Sequence, residues 1–343
     1  MDSGGFNKYA QGGDDVQLER LQKAVDAMPG LREALEGRSL EITDINDIFG
    51  YGSLPDQPHY KTGLTVQKGL LEGCRRDLVI ECSRSGTNTN PGLVFGLEKQ
   101  EGAVQAGGIL SYDNPTLEQR AENLELLRNR ETMQTKGAHV YTFAIMDVEA
   151  EDGSIRPCIT CMSDTNAPGY AGNASFDERA QRIAKAHNAI YVPGESPKET
   201  DLDSTVYSRS DIRTSRAYFN QCAIIPLIAA QQKMEKAGEP TTDFETRYRS
   251  ALAQDADYLH RYEYAIESAR RTLPIDEQRF LAEAELIDTE SFLNVATEKD
   301  LMRGLIEGLR EEVAELKGMD RTPLHAATRH IDTDHDDQAF IPT

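Results

Sequence analysis

The stretch Asp47-Ile48-Phe49-Gly50-Tyr51-Gly52-Ser53-Leu54-Pro55 is the part of this chain best suited to hold a small anion. An apolar run from Ile42 to Phe49 ends abruptly in Gly-Tyr-Gly-Ser-Leu and a proline-rich segment, the pattern of a strand entering a tight turn. Two glycines around an aromatic let consecutive backbone N–H groups converge on a carboxylate, with Tyr51 as a pocket wall. An ordinary turn has the same signature, so the motif alone leaves both readings open. The other reactive groups are less promising. Cys158-Ile159-Thr160-Cys161 lies in a segment of strand character, where residues three apart face opposite sides and do not share a metal. No second cysteine pair has zinc-ligand spacing, so these read as buried strand thiols. His325, His330 and His335, five apart among Asp332, Asp334, Asp336 and Asp337, match neither a helix face nor a strand face and read as an acidic flexible tail. We therefore expect no metal at these positions.

The elements that must position the turn follow from periodicity. Residues 1–15 are rich in Gly, Asp and Gln and are expected to be disordered. Residues 16–40 carry apolar positions at helical spacing, broken at Pro29-Gly30. After the turn, Leu64 to Gly73 forms a short apolar element and Leu78-Val79-Ile80 a strand. The segment Ser83 to Gly92 is a turn. Leu93–Leu97 and Gly108–Tyr112 are expected as two strands around a glycine-rich link, pairing in an antiparallel meander that closes as a small barrel. Thr116-x-x-Gln119, after Asn114-Pro115, opens a helix that delivers Glu131 to its end. Strands at 140–148 and 155–162 are joined by a Glu151-Asp152-Gly153 hairpin, and a helix spans 176–189.

With these pieces in order, the chain resembles the ChaC-type γ-glutamylcyclotransferase family, in which a strand runs into Phe-Gly-Tyr-Gly-Ser-Leu. Gly86-Thr87-x-x-x-Pro91-Gly92-Leu93-Val94-x-Gly96-Leu97 is similar to a second family segment with the same internal spacing. Leu127-x-x-Arg130-Glu131 resembles its Leu-x-x-Arg-Glu, Tyr170-Ala171-Gly172 its late Tyr-x-Gly, and the helix through 180–189 the family helix that follows. The resemblance covers about residues 42–195. Pro55-Asp56-Gln57, Ser85 preceded by Arg84, and Ser111 depart from the usual pattern.

The resemblance implies an α+β fold, a small mixed or antiparallel β-barrel with packed helices, over residues 41–222. A C-terminal all-helical appendage over 223–320 and a tail over 321–343 have no counterpart in the family. It also implies a reaction in which the α-amine of a γ-glutamyl group attacks its own γ-carbonyl, closing 5-oxoproline and expelling an amine. Glu131 is the implied proton carrier, and the implied reaction requires no metal or organic cofactor. Tyr51, Gly52, Ser53 and Leu54 would cradle the α-carboxylate, with Arg84 and Tyr170 as further substrate contacts. Such a carboxylate calls for partial burial, which Arg130 would oppose if close.

A net charge of −21 and a pI near 4.8 argue against nucleic acid or an anionic membrane as partner. Five cysteines and a start without basic and apolar signal regions lead us to expect a cytoplasmic protein with reduced thiols. In the C-terminal region, Leu259, Tyr262, Ile266, Ala269 and Leu273 form one helical stripe, and Leu301, Leu305, Leu309, Val313 and Leu316 another. The stripes read first as core, with self-association or a partner protein as the alternative. The remaining functional alternatives are a γ-glutamylamine as substrate and a non-catalytic binding or scaffold protein on the same fold.

Overall fold

A computed structural model describes residues 7–52, 64–82, 85–87, 89–112, 115–132, 134–135, 137–190, 195–198, 212–293, 296 and 298–320. The described chain begins with α1 (Asn7–Asp26) and α2 (Leu31–Gly37), separated at Pro29-Gly30, where Gly30 has a φ of 81°. Residues 7–15, expected to lack structure, are the first turns of α1. A 3-10 turn at Ile42–Asp44 leads to β1 (Asp47–Gly50), followed by β2 (Thr65–Cys82) and β3 (Gly92–Ser111). Helix α3 (Leu117–Glu131) comes next, then a small β4 (Gln134–Thr135) and β5 (Ala138–His139) hairpin, β6 (Tyr141–Ala150), β7 (Ile155–Ser163) and α4 (Phe176–Lys185).

Five strands close a barrel in the order β1-β3-β2-β6-β7. The short β1 is the closing piece, antiparallel to β3 and parallel to β7. Its two inner residues serve different cores: Ile48 packs with α1 and α3, Phe49 with Leu71, Leu97 and Cys158. Alternate side chains of a strand leave on opposite faces, so a strand of four residues can join two packed layers. The same period separates the two β7 cysteines, Cys158 in one core and Cys161 in the other.

Two expectations about the strands are corrected. The pieces anticipated at 64–73 and 78–80 are one strand of 18 residues, and those at 93–97 and 108–112 one strand of 20. The glycines from 101 to 107 do not break β3. Gly102, at a φ of 74°, lies where the pairing register shifts opposite Gly73, and the bulge is absorbed within the ladder. Gly107 is needed for a close approach: a Cβ there would stand 2.5 Å from the Gly50 carbonyl oxygen and 2.6 Å from the Phe49 ring.

Local chemistry places the helix starts. Thr116 and Ser175 each close a capping box, with Gln119 and Glu178, so the first turns of α3 and α4 are satisfied by their own side chains. The hairpin anticipated at Glu151-Asp152-Gly153 joins β6 to β7, with Gly153 at a φ of 79°.

The helical region is continuous with the barrel domain. Helix α5 (Ser215–Phe219), a π-helical turn (Asn220–Ile224) and α6 (Ile225–Ala237) run together, so the boundary anticipated at 222/223 falls inside one helix. They are followed by α7 (Asp243–Arg271), α8 (Ile275–Phe292) and α9 (Lys299–Asp320). Both anticipated stripes pack within the chain: Leu259, Tyr262 and Ile266 bury against Leu78, Leu93 and Phe95 of the barrel, and Val313 and Leu316 against α8. Among the described residues no helix is long and apolar enough to cross a membrane.

Glu285 of α8 ties this region together. Fully buried, it accepts hydrogen bonds from Arg270 Nη1 at 2.8 Å, Asn220 Nδ2 at 2.9 Å and Arg216 Nη1 at 3.1 Å. Burial pushes its carboxyl up to about 7, against the pull of Arg216, with Glu312 adding to the rise.

Two outcomes are expected. Gly107→Ala forces β3 away from β1 and lowers stability by about 2 kcal/mol in a denaturant titration. Because the folded Glu285 holds its proton to higher pH than the unfolded chain, its contribution to stability is complete below its ordinary value of 4.5 and is lost as pH rises toward about 7. Thermal melts of Glu285→Gln between those limits will therefore decline less with pH than those of the native protein.

Candidate active site

The Gly-Tyr-Gly turn leaves the end of β1 where three packed layers meet, and Tyr51 touches all three. Its hydroxyl donates to the Cys161 carbonyl of β7 at 2.9 Å, which draws the ring across the end of the barrel. Two further tyrosines meet it there. Tyr141 donates to the Phe95 carbonyl at 2.6 Å, and the Tyr218 ring lies 6.2 Å from that of Phe95. All three hydroxyls are raised well above the ordinary tyrosine value, burial being the first cause in each.

Glu131, the last residue of α3, reaches the same place. After burial and Cys161, its carboxylate is the next influence raising Tyr51; after burial, it is also what raises the Cys161 thiol. The helix thus delivers an acidic group within electrostatic reach of the Tyr51 hydroxyl and the Cys161 thiol. That group is 17% exposed and accepts from Arg130 Nε at 2.6 Å. The partial burial expected of a proton carrier and the opposing cation are therefore both present.

Behind the turn stands Arg76 of β2. Its guanidinium donates through Nη1 to the Tyr51 carbonyl at 2.7 Å. Nη2 lies 2.6 Å from Asp255 Oδ2 of α7, Nε donates to Asp255 Oδ1 at 3.3 Å, and the plane covers the Phe95 ring at 4.6 Å. Both partners are buried, with side chains 10% and 7% exposed. Removing one member of such a pair leaves an uncompensated buried charge, at a cost of about 3–5 kcal/mol. A cleft of about 400 Å³ opens on this side between the turn and the C-terminal helices, lined by Gly50, Gly52, Arg76 and Asp255 among mostly apolar groups of α6 and α7. Glu131 does not line that cleft; it stands with the Tyr51 hydroxyl instead.

Of the residues singled out from the sequence, the structure brings Tyr51, Gly52 and Glu131 together. Ser53, Leu54 and Arg84 lie outside the described residues. Tyr170 is placed elsewhere. Its loop runs along β2 through Ala171 N to the Val79 carbonyl at 2.6 Å and Glu81 N to the Gly169 carbonyl at 2.8 Å, and its hydroxyl donates to Glu98. Burial and that bond push the hydroxyl up to about 12. Next to it, Asp77 is shared by Arg179 at 2.7 Å, Tyr262 at 3.2 Å and Tyr258, so Tyr170 belongs to the seam between β2, α4 and α7.

Sequence reasoning missed Arg76, Asp255, Tyr141 and Tyr218. Signals for the first two existed. Arg75-Arg76-Asp77 stands directly before the apolar run Leu78-Val79-Ile80, and Asp255 sits four residues after Ala251 and four before Leu259, on the apolar stripe of α7. A charge on a buried face announces a partner, though not which one. Among the described residues no group of three or more His, Cys, Asp or Glu is arranged to hold a metal ion.

No curated protein matches the chain. Among solved structures it is similar to a γ-glutamyl cyclotransferase specific to glutathione from yeast, at 15% identity and a TM-score of 0.36, over 61% of this chain and 97% of that one. It is also similar to YkqA from Bacillus subtilis, at 18% identity and a TM-score of 0.28, over 38% and 44% of the two chains. An uncharacterized protein from Homo sapiens aligns at 14% identity and a TM-score of 0.28, over 48% and 95%. The model of the ChaC-like protein family matches residues 47–191, a span that holds the turn, Arg76, Glu131 and Tyr141 but stops short of Tyr218 and Asp255. Residues 47–191 of this chain therefore match the ChaC-like family, which is what the stretch is similar to.

Proposed function

We propose that this protein is a γ-glutamylcyclotransferase that acts in the cytoplasm, cleaving a γ-glutamyl peptide, glutathione first among them, to 5-oxoproline and the released amine, Cys-Gly in the case of glutathione. The observation that supports this reading is the Glu131 carboxylate at the end of α3, 17% exposed and within electrostatic reach of the Tyr51 hydroxyl.

The chemistry is internal to the substrate. The α-ammonium gives a proton to Glu131, and the freed amine attacks the γ-carbonyl carbon. The new C–N bond closes a five-membered lactam as the bond to the departing nitrogen breaks; Glu131 returns the first proton to that nitrogen and then passes on the second proton that the ring nitrogen sheds, so the amine departs as an ammonium. One carboxylate suffices because each proton is borrowed and given back. The turn supplies orientation: with the α-carboxylate fixed on backbone amides, the amine is held against the carbonyl, which is where most of the rate of such a cyclisation arises. The tyrosine hydroxyls, driven up by burial, remain neutral hydrogen-bonding groups at neutral pH.

The test is release of 5-oxoproline from glutathione, other γ-glutamyl peptides and γ-glutamylamines, with Glu131→Gln assayed beside the native protein. The amide keeps the shape of the side chain and cannot carry the proton, so turnover is expected to fall by about 10²–10⁴-fold with an unchanged melting temperature. Turnover confined to γ-glutamylamines would move the substrate away from peptides. Equal inertness of both folded proteins across the whole panel would leave the binding or scaffold role.

A further inference from the structure

We propose that Asp255, on α7 and outside the ChaC-like span, is a positioning residue: through Arg76 it sets the direction of the Gly52 N–H that receives the substrate's α-carboxylate. The inference rests on the γ-glutamyl reading above and adds to it a part for the C-terminal helices.

The argument begins with the peptide bond. A trans peptide is planar, so its C=O and N–H point in opposite directions and turning one turns the other. Tyr51 and Gly52 share such a unit. Arg76 Nη1 holds the Tyr51 oxygen at 2.7 Å, which aims the Gly52 N–H away from Arg76. Among the described residues none accepts a hydrogen bond from that N–H, and a Cβ built on Gly52 would meet open space. The amide is fixed from behind and, among the described residues, unengaged in front, which is what an anion cradle requires.

A glycine-flanked turn does not hold that orientation by itself, because glycine has the widest choice of backbone angles. Arg76 can act as an anchor only if it is itself immobile. Asp255 takes two of its nitrogens, at 2.6 Å and 3.3 Å, and the Phe95 ring covers the plane at 4.6 Å. The fork geometry matters: Nε and Nη2 are spent on Asp255, and Nη1 is thereby left pointing at Tyr51. Gln105 completes the frame by accepting from the Arg76 backbone N–H at 2.8 Å. Asp255 has a counterpart role in charge, since it neutralises Arg76 and leaves the dipole of the Gly52 amide, not a second cation, as the feature offered to the carboxylate.

The experiment compares Asp255→Asn, Arg76→Lys and the double variant Arg76→Met with Asp255→Leu, which replaces the pair by apolar groups of similar size and so avoids a lone buried charge. Two readouts are taken on the full chain: KM and kcat for the γ-glutamyl compound turned over best, and hydrogen exchange of peptides covering residues 47–52. We expect KM to rise about tenfold with kcat within about threefold in each variant, because a ground-state binding contact is lost, and exchange over 47–52 to quicken. A merely structural pair behaves differently: the double variant would melt like the native protein and recover native KM and native exchange, and that result overturns the proposal. The two readings fail separately. If no γ-glutamyl compound yields 5-oxoproline, the cyclotransferase reading falls, while unchanged exchange over 47–52 in the folded variants rejects the anchor whatever the activity.

Discussion

Burying the guanidinium of Arg76 is the constraint from which much of this structure follows. The group has five N–H donors in a rigid plane and no acceptor, and it stands almost out of water at the junction of strand, turn and helix. Leaving those donors unmet is far more expensive than any single contact in the neighbourhood. They are met from opposite ends of the chain, by the Tyr51 carbonyl and by Asp255, 179 positions further on than Arg76. The buried pair therefore ties α7 to the barrel. Without Asp255, Arg76 would lose the partner that fixes its Nε and Nη2, so the C-terminal helices help to hold the group that bonds the turn.

The closure of the barrel obeys a complementary constraint of space. β1 is only four residues long, yet it completes the ring by pairing with β3 on one side and β7 on the other. Such a short strand has few ladder bonds, and its hold depends on close approach, with Phe49 seated over Gly107 and the Gly50 carbonyl against the same residue. Side chains are excluded where the backbone must come near, and large ones collect immediately beside it. The turn inherits its position from that packing and its orientation from Arg76. Neither would be enough alone: packing fixes where Gly50 ends, and the guanidinium fixes how the next peptide is rotated.

Features governed by neighbours a few residues away were readable in the sequence. The capping boxes at Thr116 and Ser175, the hairpin at Gly153, the break at Gly30 and the opposite facing of Cys158 and Cys161 all follow from local hydrogen bonding or from the period of a strand. That the helix opened by Thr116 ends at Glu131 was legible from its capping signals. What escaped depends on partners far along the chain. The glycines of 101–107 look like a link because glycine weakens a strand, yet the ladder to β2 absorbs the irregularity as a bulge. The helix running through residue 222 hid a domain boundary, because the π-helical turn keeps the backbone helical across it. Tyr170 sits where the motif put it in the chain, but its hydroxyl is claimed by Glu98, and no sequence spacing announces that bond.

The electrostatics of the whole molecule narrow how an anionic substrate could be held. A chain with a net charge of −21 repels carboxylates at a distance, so long-range steering works against binding. At physiological salt that repulsion fades beyond about 8 Å, and what matters at contact is the local field. Here the two nearest guanidinium groups are already committed, Arg76 to Asp255 and Arg130 to Glu131. The ion pairs cancel one another at short range and leave the backbone dipoles of the turn as the uncompensated feature. A cradle of that kind selects by shape and hydrogen-bond direction more than by charge, since an amide placed a few tenths of an ångström out of line loses most of its value. Rigidity of the turn is then the quantity on which binding turns. That places the burden of recognition on the elements that hold Tyr51 and Gly52 still, which come mostly from the barrel and, through Asp255, from the helices beyond it.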